Sequence, residues 1–177
     1  MISDRTNVLD NFIGEVLDYS RNARVELKLE PVKVKDLVDE VIKGMLHMHG
    51  GQDVAIDVRI EPGLIVSTDR ERIKVILNNL VSNAIHYRDP GKKPGLVIES
   101  SILADHWIIV IKDNGIGIKK EHLEKIFDMF YKAHDHAQGT GLGLYIVKET
   151  VQRLGADIQM ESEYAVGSTF TVKVPFT

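Results

Sequence analysis

The 177 residues amount to about 1.2 domains at roughly 150 residues each, enough for one full domain with a short appendage. Apolar residues make up 44% and the formal net charge is −4, which argues against global disorder and against a nucleic-acid-coating surface. Cysteine is absent, so disulfides, thiolate metal sites and cysteine nucleophiles are excluded. There is no run of about 18 apolar residues and no basic-then-apolar leader at the start, so the chain reads as a soluble, intracellular domain without membrane contact of its own.

The first predicted element is a helix from Ser3 to about Ala23, where Val8, Phe12, Val16 and Tyr19 recur at three and four and are joined by Leu9, Ile13 and Leu17. So wide a stripe must pack on something else. After a polar stretch and Pro31, the residues Val34, Leu37, Val38, Val41, Ile42 and Met45 predict a second helix, stopped by Gly50-Gly51. Residues 54–60 alternate as a half-buried strand. Pro62-Gly63 turns the chain into a short strand at Leu64-Ile65-Val66. Asp69 can cap a long helix to about Tyr87, whose apolar set is Ile73, Ile76, Leu77, Leu80, Val81, Ala84 and Ile85.

A loop over Asp89-Pro90-Gly91 to Pro94-Gly95 precedes two strands, near Leu96–Leu103 and Trp107–Lys112, that read as an antiparallel hairpin. Residues 113–143 are rich in glycine, histidine and charge. Leu144, Val147, Val151 and Leu154 mark a last helix stopped by Gly155, and Asp157–Met160 with Ser168–Val174 form a closing hairpin. Long helices alternating with hairpins predict an α+β fold: a two-layer sandwich with a mixed, mostly antiparallel sheet covered on one face by helices.

Three features could carry chemistry. Gly139-Thr140-Gly141-Leu142-Gly143 opens directly into a helix, so its amides and the helix N-terminus could cradle phosphate. It is neither a P-loop nor G-x-G-x-x-G. Asn79 and Asn83 share a helix face; they are either solvated or, since an amide oxygen suits Mg²⁺, ligands. Asp113 ends a buried-looking strand before Asn114-Gly115-Ile116-Gly117, and either caps its own turn or accepts from an exocyclic amine such as that of adenine. His47-Met48-His49 and His134-Asp135-His136 lack further ligands at metal-site spacing.

In order along the chain, these residues resemble the ATP-binding catalytic domain of sensor histidine kinases, in the superfamily shared with type II topoisomerases, heat-shock chaperones and mismatch-repair ATPases. Asn79-Leu80-Val81-Ser82-Asn83-Ala84-Ile85-His86-Tyr87 looks like the asparagine box and Asp113-Asn114-Gly115-Ile116-Gly117 like the first glycine box. Phe127-Asp128-Met129-Phe130-Tyr131-Lys132 looks like the phenylalanine box and Gly139–Leu144 like the second glycine box. The resemblance implies a Bergerat-type ATP-binding domain over residues 31–177, preceded at 1–24 by the end of a helical dimerisation and phosphoacceptor domain.

By this resemblance ATP and Mg²⁺ are the cofactors. Asn83 would be the metal ligand, with Asn79 near the phosphates and Tyr87 beside the adenine. Asp113 would accept from the adenine amino group in a pocket shaped by Gly115, Gly117 and Ile118. Lys132 would face the γ-phosphate, residues between it and Gly139 would form a lid, and Gly139, Thr140, Gly141, Leu142 and Gly143 would hold phosphates. Thr169 would add a hydrogen bond near the base. His86 stands where the family usually has lysine, so the phosphate contact there is expected to be weaker or pH-dependent.

None of the seven histidines sits in the family's acceptor context, so the chain is expected to lack a catalytic phosphoacceptor and to donate the γ-phosphoryl group to a separate domain. A response-regulator receiver domain would be the downstream partner. A conformational ATPase of the same superfamily would place a glutamate base where Asn79 stands, and an amide cannot take that proton. A nucleotide-binding module without turnover is the other alternative.

Overall fold

The computed structural model describes residues 26–48, 53–133 and 140–176. The helix expected over 3–23, the Gly50-Gly51 stop, Gly139 and the histidines at 134 and 136 lie outside these residues.

The elements are β1 (Glu30–Lys33), α1 (Val34–Met48), β2 (Ala55–Ile60), β3 (Ile65–Thr68), α2 (Arg70–His86), β4 (Gly95–Leu103), β5 (His106–Asp113), a 3-10 turn (Lys120–His122), α3 (Gly143–Arg153), β6 (Asp157–Glu163) and β7 (Gly167–Pro175). Five strands form one sheet in the order β2-β4-β5-β7-β6, with β2 and β4 parallel and every other pair antiparallel. The expected mixed sandwich is the observed fold.

One sheet face supplies the core. Alternate residues Leu96 and Ile98 on β4, Trp107, Ile109 and Ile111 on β5, and Phe170, Val172 and Val174 on β7 are all buried, and register pairs Ile111 with Phe170 and Ile109 with Val172. Helix α2 packs on this face through Ile73, Ile76, Leu77, Leu80, Val81, Ala84 and Ile85, the set read from the sequence, each 8% exposed or less. Burial of each large side chain contributes about 1.5–3 kcal/mol. Trp107 keeps its polar edge satisfied inside, donating from Nε1 to Ser100 Oγ at 2.7 Å.

Two expectations need correction. Residues 54–60 and 64–66 do not lie in one sheet. β2 runs parallel to β4, whereas β3 pairs antiparallel with β1 in a separate two-stranded sheet. The polar stretch around Pro31 is therefore a strand. Its register, Val32 opposite Val66, buries one valine from each strand, too short an alternation to stand out.

Asp69 caps α2 as expected. Its Oδ1 accepts from Arg72 N at 3.1 Å, and its Oδ2 accepts from Lys28 N at 3.0 Å and pairs with the Arg72 guanidinium. Both side chains are almost wholly buried. The cap orients α2 so that its C-terminal end, with Asn79, Asn83 and Tyr87, runs toward the ends of β5 and β7.

Candidate nucleotide site

The last turn of α2 and the turn after β5 are stitched together. Tyr87 N donates to Asn83 O at 2.9 Å, and Ile116 N donates to Tyr87 O at 3.0 Å. The same turn is tied to the β6–β7 connection: Ala165 N donates to Ile116 O at 2.8 Å, and Ile118 N to Ser162 Oγ at 2.8 Å. Gly117 sits at this junction with φ +62°, and a Cβ there would stand 2.0 Å from Glu163 O. Only glycine supplies both that backbone conformation and that close approach.

Asp113 occupies the inner end of β5. Its Oδ1 accepts from Gly115 N at 2.8 Å and from Ser168 N at 3.3 Å. Burial pushes its carboxyl above the usual range; the two N–H bonds and the charge of Lys92 oppose this without cancelling it. Asn114 locks the neighbouring loop, accepting from Gly95 N at 2.8 Å and donating to Lys93 O at 2.9 Å.

These elements line a cleft that is open to solvent on one side. Of the residues singled out in the sequence, Asn83, Tyr87, Asp113, Gly117, Ile118 and Lys132 line it. The lining also includes Tyr131 of the phenylalanine box, Leu144 of the second glycine box and Ala133 of the expected lid, together with Ile126, Ser168 and Phe170, which had no role assigned from the sequence. Tyr131 is held from behind by His122, whose Nδ1 is 2.6 Å from its hydroxyl. This pairing has no sequence signal, because the two residues meet only through the irregular turn between them.

The remaining candidates stand beside the cleft. Gly115 lies behind Asp113 through the N–H bond given above. His86 is exposed at the end of α2 with its ring edge-on to Tyr87, centroids 5.9 Å apart. Asn79 lies further up α2, its Nδ2 donating to Val75 O at 2.8 Å.

The second glycine segment forms the entry to α3. Thr140 Oγ1 accepts from Leu142 N at 3.1 Å, Gly141 O accepts from Phe130 N at 3.1 Å, and Gly143 is the first helical residue. Leu142, the cap residue, makes no side-chain cap bond.

Thr169 is not among the residues that line the cleft. Ser168 and Phe170, its two neighbours, face the cleft, and strand alternation sends Thr169 to the opposite face beside Lys112 and Glu161. The hydroxyl at the cleft belongs to Ser168. The buried Phe170 set the parity, which the sequence already displayed.

A mixed sheet packed with three helices, with a half-buried aspartate and two glycine turns beside a cleft at the ends of β5 and β7, defines an α+β sandwich with one open cleft lined from several elements. The chain belongs to the histidine kinase-, DNA gyrase B- and HSP90-like ATPase family, whose model matches residues 68–177.

Among its relatives, the sensor histidine kinase RcsC of Escherichia coli is 29% identical over 98% of this chain and 19% of its own length. The sensor protein SrrB of Staphylococcus aureus is 31% identical over 99% of this chain and 31% of its own. The chain thus spans about a fifth to a third of the length of these curated relatives. The solved structure of full-length ShkA in complex with AMPPNP shares the fold, with TM-score 0.81 at 24% identity over 96% of this chain and 36% of that one. The histidine kinase ThkA, solved in complex with the response regulator protein TrrA, gives TM-score 0.76 at 26% identity over 99% of this chain and 49% of that one. No helix among the described residues is long and apolar enough to cross a membrane.

Proposed function

We propose that the cleft binds Mg·ATP and that the domain donates the γ-phosphoryl group to a histidine on a separate phosphoacceptor domain. The observation that carries this reading is the Asp113 carboxylate, fixed by two backbone N–H groups at the inner wall of a cleft whose rim holds Asn83 and Lys132. A carboxylate with one oxygen engaged keeps the other for an exocyclic amine. Ile118, Ile126, Leu144 and Phe170 supply apolar faces for a flat base, and Tyr87 closes the side next to α2.

The phosphates would extend toward the entry of α3, where leading amides and the helix dipole favour negative charge. Among the described residues no group of three or more His, Asp or Glu side chains could hold a metal ion. Asn83 would hold Mg²⁺ through its amide oxygen, a hard ligand of the kind this cation takes. Bound there, Mg²⁺ would neutralise charge on the transferring phosphoryl group. Lys132 would add positive charge at the rim.

Asn79 weighs against a conformational ATPase, because its amide offers no base for activating water. The family and the ThkA–TrrA complex support a receiver domain as the downstream acceptor, and the chain is assigned to the cytoplasmic part of a two-component sensor.

Calorimetry with ATP and ADP, with and without Mg²⁺, tests the binding. Micromolar-to-millimolar affinity is expected, and no binding at millimolar nucleotide would sink the reading. Mixing the chain with a separate phosphoacceptor domain and γ-labelled ATP should give acid-labile, alkali-stable label on the acceptor. Label on the chain itself would overturn the assignment of the acceptor to another domain.

A further inference from the structure

Lys92 lies in the loop between α2 and β4, its side chain 33% exposed, while the adjacent Lys93 is open to solvent. The ammonium donates to Ala165 O at 2.6 Å, Val166 O at 3.2 Å and Asn114 O at 3.3 Å, and lies 3.4 Å from Asp89 Oδ2. An ammonium has three protons and no acceptor, and here backbone carbonyls converge on it. They come from two turns, the one after β5 and the one between β6 and β7. Those turns adjoin Asp113 at the end of β5 and Ser168 at the start of β7, the two residues joined across the inner end of the cleft.

We propose that Lys92 is a positioning residue for the nucleotide base: clamping both turns from behind, it fixes Asp113 against Ser168 in the arrangement that base recognition needs. The proposal rests on the reading of the cleft as a nucleotide site. A surface lysine seldom holds one geometry, because ordering its side chain costs entropy. Three charge-assisted bonds to backbone offset that cost. Asp89 joins the clamp from the same loop and restrains Lys92 further, its own Oδ1 accepting from Gly91 N at 2.9 Å.

The clamp also acts through charge. Burial pushes the Asp113 carboxyl up, and the Gly115 and Ser168 N–H groups and, to a smaller extent, the Lys92 ammonium offset part of that rise. Other charged groups around the site are Asp89, which partly neutralises Lys92, and Lys132 at the cleft rim; Lys112, next to Asp113 on β5, points to the other sheet face, and Glu163 at the end of β6 is exposed. Without Lys92, Asp113 would hold its proton to higher pH, and a protonated carboxyl is a poorer acceptor for an amine.

The test compares wild type, Lys92→Gln and Lys92→Arg by two measurements. One is the carboxyl-carbon NMR titration of Asp113 in the nucleotide-free chain. The other is ADP affinity by calorimetry near neutral pH. Lys92→Gln is expected to move the Asp113 midpoint to higher pH and to weaken ADP binding about tenfold, on the scale of one lost charge-assisted bond. Lys92→Arg should restore the midpoint and most of the affinity. A Lys92→Gln protein with unchanged midpoint and affinity overturns the proposal, as does one that only melts at lower temperature. A wild-type chain that binds no ADP, with the midpoint shift intact, overturns the nucleotide reading and leaves the clamp on Asp113 standing.

Discussion

Asn79 and Gly143 meet where α2 passes the entry to α3: a Cβ at position 143 would stand 2.9 Å from Asn79 Oδ1. The amide is held in that orientation by its Nδ2 bond to Val75 O, so its oxygen faces the positive end of α3. The asparagine box and the second glycine box, 64 positions apart by numbering (143 − 79), are therefore in direct contact. Gly143→Ala is expected to force Asn79 off this position and break its bond to Val75 O, costing about 1 kcal/mol. Urea unfolding measures it. In an Asn79→Ala background the same substitution should cost little, and an equal cost in both backgrounds would show that the contact is not the cause.

Asp113 gives two pH effects of opposite sign. Its folded pKa is raised, so between the ordinary aspartate value and the raised one the folded state holds more protons than the unfolded state. Over that window its contribution to stability falls as pH rises, whereas nucleotide binding, which needs the carboxylate, strengthens. Asp113→Asn keeps an oxygen for the Gly115 and Ser168 N–H groups and removes both dependences. ADP affinity should fall at least tenfold at neutral pH, the scale of one charge-assisted bond, and the variant's stability should no longer carry this pH slope. Calorimetry and unfolding across pH 4 to 8, roughly the range in which a raised carboxyl titrates, would check it; unchanged affinity removes Asp113 from the site.

The Asp69–Arg72 pair sets the start of α2 and hence the placement of everything at its far end. Burial pushes the Asp69 carboxyl up, but the Lys28 and Arg72 N–H groups and the Arg72 guanidinium outweigh it and hold it below the ordinary range. Its contribution to stability is therefore present above the ordinary carboxylate value and lost as pH falls through the lowered one. Asp69→Ala removes the cap and leaves Arg72 charged in a buried place, costing about 3–5 kcal/mol. Asp69→Asn keeps the bond from Arg72 N and should cost less. Denaturant midpoints of the two variants decide it: equal losses would mean that the cap contributes nothing beyond the charge.

What was legible in the chain followed from period and order. Helix α2 displayed its buried face because seven apolar positions repeat along it, and the two glycine segments announced turns beside a helix and a strand. Strand β1 was not legible, since four residues with one buried valine carry almost no pattern. The pairing of β2 with β4 rather than β3 depends on partners about 40 positions away, as in Ile56 opposite Leu96. Tyr131, Leu144 and Phe170 converge on the cleft from different parts of the chain, and Lys92 looks like Lys93 until its carbonyl partners are known.

Ser168 and Thr169 separate the two faces of β7 and allow a sharp test. Ser168 lines the cleft, its N–H donating to Asp113 and its hydroxyl 2.9 Å from Ser162 Oγ. Thr169 stands on the far face, opposite Lys112 and Glu161. Ser168→Val would replace a hydroxyl with larger apolar bulk beside Asp113, at the position a base would fill. It should weaken ADP binding about tenfold, the scale of 1–3 kcal/mol expected from overpacking a fitted site. Thr169→Val keeps the shape and removes only a hydroxyl that points away from the cleft, so its ADP affinity should match wild type within about twofold, as for a surface change. Calorimetry on both variants settles the parity: weakening by Thr169→Val alone would put the threonine hydroxyl at the base after all.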